Sequence, residues 1–139
     1  MNIQLRKVSQ EDWDYILRLR NSNYIRPFMY TKHRISKPEH YEYLKKQNKN
    51  SNFKNWIISM DSKNVGYVRV LDNDVSIMIE KKYHGKSIGT QALKILEKEA
   101  RKFGIRKLVG RVMIDNKKSK QIFLNNNYKL IMYWFEKKI

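Results

Sequence analysis

Apolar and polar residues alternate with a period of two in some stretches of the chain and with a helical period near 3.6 in others. The period of two predicts strands over residues 3–8, 53–60, 65–71, 75–79, 107–113 and 130–135. The helical period predicts helices over about 10–21, 36–46, 88–103 and 117–125. This order predicts an α/β fold in which a mixed, mostly antiparallel sheet is flanked by helices. No repeat or linker divides the 139 residues, so we predict a single domain over 1–139.

The helix borders carry residues that suit them. Ser9 precedes Asp12 by three positions, and Ser36 precedes Glu39 by three, the spacing that caps a helix N-terminus. Gly104 follows the longest helix and suits a C-terminus. The predicted buried face of that helix consists of Ile88, Ala92, Ile95, Leu96 and Phe103.

A basic loop from Glu80 to Ser87 joins the strand 75–79 to the longest helix. It contains Gly85 and three lysines, Lys81, Lys82 and Lys86. Free backbone N–H groups and the positive end of the helix dipole meet at a helix N-terminus, so the loop predicts an anion-binding site. It is neither a Walker A loop nor a dinucleotide fingerprint, because it lacks both the G-K-[ST] ending and the full G-x-G-x-x-G pattern.

The composition extends this picture to the whole surface. Lys and Arg number 30 against 13 Asp and Glu, a net charge of +17 that attracts anions such as coenzyme A, a nucleotide-linked substrate or nucleic acid. The alternative is that the lysines only solvate the surface. The absence of cysteine excludes disulfide and thiolate chemistry. With no signal peptide and no apolar run of about 18 residues, we expect a cytoplasmic protein without a membrane partner, either monomer or homodimer. No metal site is predicted.

The basic loop resembles the acetyl-coenzyme-A loop of the GNAT acetyltransferases. That family has R/Q-x-x-G-x-G/A after a strand, commonly within a run similar to Y-R-G-K-G-I-G-T. The run here is YHGKSIGT, from Tyr83 to Thr90. It departs from the family pattern at His84, where Arg or Gln is usual, and at Ser87, where Gly is usual. The Ser87 hydroxyl is a candidate cap for the helix that follows.

A second run resembles the same family. Its members follow the fifth strand with V-x-x-x-N-x-x-S/A-x-x-x-Y-x-x-x-G-F, and Val112, Asn116 and Ser119 match in register. Phe123 lies at the usual Tyr position and Asn127 at the usual Gly position. Asn is the best substitute for Gly where the backbone must be left-handed. Most of the chain is covered by this resemblance, because the flanking elements also fall in the family's order.

The resemblance implies a GNAT fold whose central strands splay apart around acetyl-CoA. Backbone groups of Ile77 and Ile79 would contact the pantetheine arm, and Asn116, Ser119 and Phe123 would complete the cofactor site. Core packing for the two isoleucines, and helix capping for Asn116, are the alternatives. The pyrophosphate would be bound by the loop and helix start: His84, Gly85, Lys86, Ser87, Ile88, Gly89 and Thr90.

Acetyl transfer needs a neutral amine, an oxyanion stabiliser and a proton for the leaving thiolate. We predict Glu80 as the base, with an exposed loop carboxylate as the alternative reading, and with His33 and His40 as alternative bases. The family often uses a Tyr hydroxyl as the proton donor, but a Phe123 ring cannot donate. Tyr128 is the predicted replacement, and Tyr83 and Tyr133 are alternatives.

The region from Arg20 to His40 resembles a narrower group, the amino-sugar acetyltransferases of the pseudaminic and legionaminic acid pathways. Those enzymes share Arg-Asn, a Met-aromatic pair, Ile-Ser and His in this order. The resemblance implies that the acceptor is the primary amine of a nucleotide-linked amino sugar, an anionic small molecule, bound by Arg20, Tyr24, Phe28 and Tyr30. Packing of these aromatic residues against the sheet is the alternative. A ribosomal-protein-like acetyltransferase and a non-catalytic module that binds coenzyme A or nucleic acid remain alternative functions.

Overall fold

The structure, a computed structural model, describes all residues from 1 to 139. Three short 3-10 turns, Gln10–Asp12, Arg26–Phe28 and Lys81–Tyr83, supplement nine strands and α-helices. In chain order these are β1 (Ile3–Lys7), α1 (Trp13–Asn21), α2 (Lys37–Gln47), β2 (Phe53–Met60), β3 (Lys63–Leu71), β4 (Asp74–Ile79), α3 (Ile88–Lys102), β5 (Val109–Gly110) and α4 (Lys117–Asn125). None of the helices has the length and hydropathy of a membrane-spanning segment.

The sheet has the order β1-β2-β3-β4-β5. Strands β1 to β4 pair antiparallel, whereas β5 pairs parallel to β4. The predicted mixed α/β fold is therefore confirmed. The β4–β5 pairing is limited to two positions, Asp74 with Val109 and Val75 with Gly110. Beyond Val75 the two strands are no longer neighbours, and this opening positions the candidate site.

Both faces of the sheet are covered, because successive side chains of a strand point to opposite faces. A cluster of 13 buried residues, including Val68 and Ile79, packs against α3 and α4. A second cluster of 8 buried residues, including Ile57 and Met78, packs against α1 and α2. Burial on both faces explains why β2 and β3 each contain an unbroken buried run, Trp56 to Ser59 and Val65 to Val68.

Most of the predicted elements agree with the structure to within about two residues. The β2 range is the predicted one, and α3 begins at Ile88 as predicted. Ser36 caps α2, since its Oγ accepts a hydrogen bond from the Glu39 N–H at 3.3 Å. The prediction that Phe103 is buried was wrong. Its side chain is 53% exposed, and Lys54 Nζ lies 4.5 Å from the centre of its ring.

The predicted strands near the C-terminus were also wrong. The strand over 107–113 is reduced to Val109–Gly110, and no strand forms over 130–135. A strand requires a hydrogen-bonded neighbour, and no backbone group from Lys129 to Ile139 has one. The side chains of this tail are exposed, and its hydrogen bonds come from the Tyr30 hydroxyl to the Glu136 carboxylate at 2.9 and 3.0 Å.

Two glycines allow α4 to approach its neighbours. A Cβ atom on Gly89 of α3 would lie 2.6 Å from Ile122 Cδ1. A Cβ atom on Gly110 of β5 would lie 2.5 to 2.8 Å from three ring atoms of Phe123. A phenyl ring cannot bend away as the end of an aliphatic chain can. The contact at Gly110 therefore sets how closely α4 packs on β5.

We expect Gly110→Ala to lower the free energy of unfolding by about 1–3 kcal/mol, because the added methyl group must displace the Phe123 ring. Urea unfolding measures this change. In a Phe123→Leu background the added cost of Gly110→Ala should be smaller, since the smaller side chain can move aside. An equal cost in both backgrounds would contradict the assigned contact.

Candidate active site

The candidate site lies where β4 and β5 part. From Ser76 to Ile79, β4 pairs with β3 on one side and has no strand on the other. An exposed strand edge offers N–H and C=O groups that can pair with an extended ligand. The predicted residues Ile77 and Ile79 both lie on this segment, and their side chains also pack in the core. The two alternatives considered for them are thus compatible.

The loop after β4 presents a run of free backbone donors. The His84 N–H donates within the loop, to Lys81 O at 3.0 Å. The N–H groups from Gly85 to Thr90, in contrast, donate to no atom of the chain, and the first helical bond is Gln91 N–H to Ser87 O. These donors surround the N-terminus of α3, where the helix dipole adds positive potential. This arrangement is typical of a site that binds an anion such as a diphosphate.

Left-handed backbone at two positions shapes the run. Gly85 has φ +77°, and a Cβ atom there would meet nothing within 4 Å. Ser87, at a position where the family has Gly, has φ +62°. The prediction that its hydroxyl caps α3 was wrong, because the Ser87 side chain forms no capping hydrogen bond. A serine in this conformation directs its own N–H into the run but turns its side chain away from the N-cap geometry.

His84 joins the loop to its surroundings. Its Nε2 lies 2.9 Å from Ile79 O, and its Nδ1 lies 3.3 Å from Lys118 Nζ. Because a carbonyl only accepts and an ammonium only donates, these contacts assign the proton to Nε2. The histidine therefore fixes the end of β4 and brings a lysine of α4 to the loop. Each ring nitrogen of His84 therefore has a partner within the chain.

The second motif forms the start of α4 and part of the core. Asn116 is the N-cap of α4, with Oδ1 accepting from the Ser119 N–H at 3.3 Å. Phe123 is 7% exposed and lies edge-on to Tyr128, with ring centres 4.8 Å apart. These residues hold α4 beside the loop. Asn127 has φ +65°, which agrees with the predicted left-handed position.

Glu80 lies directly after β4 and borders an open pocket of about 490 Å³. The Tyr15 hydroxyl donates to Glu80 Oε2 at 3.2 Å. Burial and the charge of Glu80 raise the pKa of Tyr15 far above its ordinary value, so the phenol keeps its proton and can stabilise the carboxylate. The remaining lining is mostly basic or polar: Arg18, Ser62, Lys63, Asn64, Lys82 and Tyr83. No local pattern in the sequence links Tyr15 to Glu80.

The two alternative bases do not line the pocket beside Glu80, and neither does Tyr128 or Tyr133. His40 is buried, with Nε2 2.9 Å from Trp13 O, and burial lowers its pKa. It therefore has a structural position under α1, with its Nε2 already in contact with the Trp13 carbonyl. His33 is exposed, 3.7 Å from Glu39. Burial raises the pKa of Tyr128 to about 12, so this phenol stays protonated at neutral pH, and Tyr133 lies in the exposed tail.

The predicted acceptor residues lie on the segment that joins α1 to α2. The Tyr24 ring is 5.9 Å from the His84 ring, so this segment reaches the anion loop. Tyr30 is 73% exposed, whereas Phe28 is half-buried. Arg20 lies in the last turn of α1 and donates from Nη2 to Thr31 O at 2.5 Å. Arg26, which no sequence pattern singled out, begins the 3-10 turn between α1 and α2.

The sequence profile of the acetyltransferase (GNAT) domain matches residues 2–129 of this chain. The chain belongs to the GNAT family. It is accordingly an N-acetyltransferase, and acetyl-CoA is the acetyl donor of this family. No protein of curated function matches the sequence at a significant level.

Solved GNAT-fold structures superpose on most of the chain. A domain from Methanocaldococcus jannaschii is 24% identical, with 92% of this chain and 88% of the other covered and a TM-score of 0.81. RimL, a ribosomal-protein alpha-N-acetyltransferase solved with coenzyme A, is 16% identical, with coverage of 95% and 82% and a TM-score of 0.80. A Vibrio cholerae spermidine N-acetyltransferase solved with CoA and spermine is 18% identical, with coverage of 88% and 78% and a TM-score of 0.78. At these identities the likeness concerns the fold.

The geometry of this GNAT chain fits the donor. Free N–H groups from Gly85 to Thr90 suit a pyrophosphate, and the open edge of β4 suits an extended arm. Lys86 is exposed beside these donors, and Lys118 is held there by His84. Positive charge and unpaired backbone donors are thus concentrated at one point.

We expect Gly85→Asp to weaken coenzyme A binding at least tenfold relative to Gly85→Asn. Both side chains tolerate a positive φ and have space at this position, but only Asp adds a negative charge among the N–H donors. Isothermal titration calorimetry with coenzyme A measures the difference. Equal affinities of the two variants would contradict the assignment of the pyrophosphate to this loop.

Proposed function

We propose that this GNAT enzyme transfers the acetyl group of acetyl-CoA to the primary amine of a nucleotide-linked amino sugar. The observation that carries the proposal is the segment between α1 and α2, which combines arginines and aromatic residues and contacts the anion loop through Tyr24 and His84. Aromatic rings stack on a base or a sugar, and guanidinium groups bind phosphate. The net charge of +17 further favours an anionic acceptor.

Glu80 is the proposed general base. Acetyl-CoA, when bound, supplies an activated thioester whose leaving group is a thiolate. The amine must lose a proton as the new bond forms, and a carboxylate that borders an open pocket can accept this proton, directly or through one water. The Tyr15 hydroxyl bond holds the Glu80 carboxylate in place. Tyr128 is the proposed proton donor to the thiolate, since Phe123 has no hydroxyl.

A protein or peptide amine is the second candidate acceptor. The RimL structure, whose printed name assigns it a ribosomal-protein substrate, superposes over 95% of this chain. The pocket beside Glu80 is open to solvent, and its basic lining would favour an acidic chain terminus. The similarity to a spermidine N-acetyltransferase raises a polyamine as a third acceptor, but the net charge of +17 would repel a polycation.

Thiol release from acetyl-CoA with a panel of amines tests the acceptor. The panel contains UDP-linked amino sugars, their free sugars, spermidine and an acidic N-terminal peptide. We expect the highest kcat/KM with a UDP-linked sugar, at least tenfold above its free sugar, because the free sugar lacks the anionic group. Turnover with the peptide alone would replace the sugar proposal by the peptide one.

Glu80→Gln should lower kcat about 100-fold or more, the usual contribution of a positioned base, with little effect on coenzyme A binding. Tyr15→Phe keeps the ring but removes its hydrogen bond, so a smaller loss is expected. The matched control is Glu99→Gln in the last turn of α3, where the carboxylate pairs with Lys102. Unchanged kcat in Glu80→Gln would remove this residue from the chemistry.

A further inference from the structure

Two arginines lie close together at the C-terminal end of α1. Arg20 is in the last turn of this helix, and Arg26 begins the 3-10 turn that follows. Each is half-buried. Arg20 Nη2 donates to Thr31 O at 2.5 Å, and Arg26 Nη1 donates to Lys32 O at 3.3 Å. The two side chains thus donate to consecutive carbonyl groups, those of Thr31 and Lys32.

Each guanidinium retains a buried donor that is not used. Arg20 Nη1 and Arg26 Nε are buried and have no hydrogen-bond partner in the chain. A buried polar group without a partner costs free energy, so such groups in native structures call for an explanation. Since both residues are only half-buried, rotation of either side chain can bring its unused N–H to a ligand at the surface.

The charges of the pair are also uncompensated. No carboxylate lies within 4 Å of either guanidinium, although Glu39 is near enough to favour the charged form of Arg20. The Glu39 carboxylate instead faces His33 at 3.7 Å. Burial and the neighbouring charge of Arg26 lower the pKa of Arg20. Two like charges held together without a counter-ion favour an anion between or beside them.

The backbone around the pair is fixed. Asn21 bonds to Ile35 twice, from Nδ2 to the carbonyl and from the Ile35 N–H to Oδ1, both at 2.8 Å. The Ser22 hydroxyl donates to Leu19 O at 2.7 Å and so closes the end of α1. Tyr24, between the arginines, meets the His84 ring. Arg20 and Arg26 therefore lie on a segment that is fixed by hydrogen bonds and adjoins the loop from Glu80 to Ser87.

We propose that Arg20 and Arg26 form the subsite for the diphosphate of the acceptor, one guanidinium serving each phosphate. This inference rests on the proposed function and deepens it. Arginine is suited to the role because its planar fork donates two parallel hydrogen bonds to a phosphate. The free N–H groups of Gly85 to Thr90 would hold the donor's pyrophosphate, so the enzyme would have two separate diphosphate sites.

Titration of the protein at saturating coenzyme A tests the subsite, because the donor loop is then filled. The probes are UDP and inorganic pyrophosphate, each added to the wild type, Arg20→Gln, Arg26→Gln and Arg34→Gln. Arg34 is an exposed arginine of the same segment with no ion pair, so it controls for the loss of one surface charge. We expect at least one probe to bind, and its affinity to fall tenfold or more in the first two variants only.

Two results would overturn the subsite. One is no binding of either probe to the protein loaded with coenzyme A. The other is an equal loss in Arg34→Gln, which would reduce the effect to general surface charge. Coenzyme A affinity and thermal unfolding are measured for every variant. Normal values for both, together with lost probe binding, separate this subsite from failed folding. Failure to bind coenzyme A at all would instead count against the proposed acetyltransfer reaction.

Discussion

The short parallel contact between β4 and β5 is the constraint on which the site depends. Two residue pairs hold the strands together, and after Val75 and Gly110 they separate. One edge of β4 is thereby left without a strand while its other edge stays in the sheet. The Phe123 ring fills the space above Gly110, so α4 is held close to β5 without closing the opening. A longer β5 would have used the backbone groups that a ligand needs.

The free donors of the loop after β4 depend on backbone geometry more than on side-chain charge. Left-handed residues at Gly85 and Ser87 direct successive N–H groups outward at the start of α3. Because backbone donors cannot rotate away, they are already ordered before a ligand binds. The two family departures are accommodated differently. Ser87 adopts the glycine-like conformation, whereas His84 takes on a structural role between Ile79 and Lys118.

The candidate site combines many positively charged groups with one carboxylate, that of Glu80. Free backbone donors and lysines lie at the loop, and two arginines, Arg20 in the last turn of α1 and Arg26 after it, add positive charge nearby. Glu80 is the acidic group among them, and its contact with a protonated Tyr15 keeps it in place. The segment between α1 and α2 adds aromatic side chains, of which Tyr24 contacts His84.

Local patterns in the sequence determined the four antiparallel strands, the helices and the anion loop, because period, capping residues and glycine position act within a few residues. The GNAT assignment also followed from local motifs. Only the tertiary structure decided the length of β5 and the absence of a strand in the tail, since both depend on which strand lies beside them. The Tyr15–Glu80 contact spans 65 positions, and the proximity of Arg26 to Arg20 depends on the turn between them. Such contacts leave no periodic trace along the chain, because they form only when distant elements pack together.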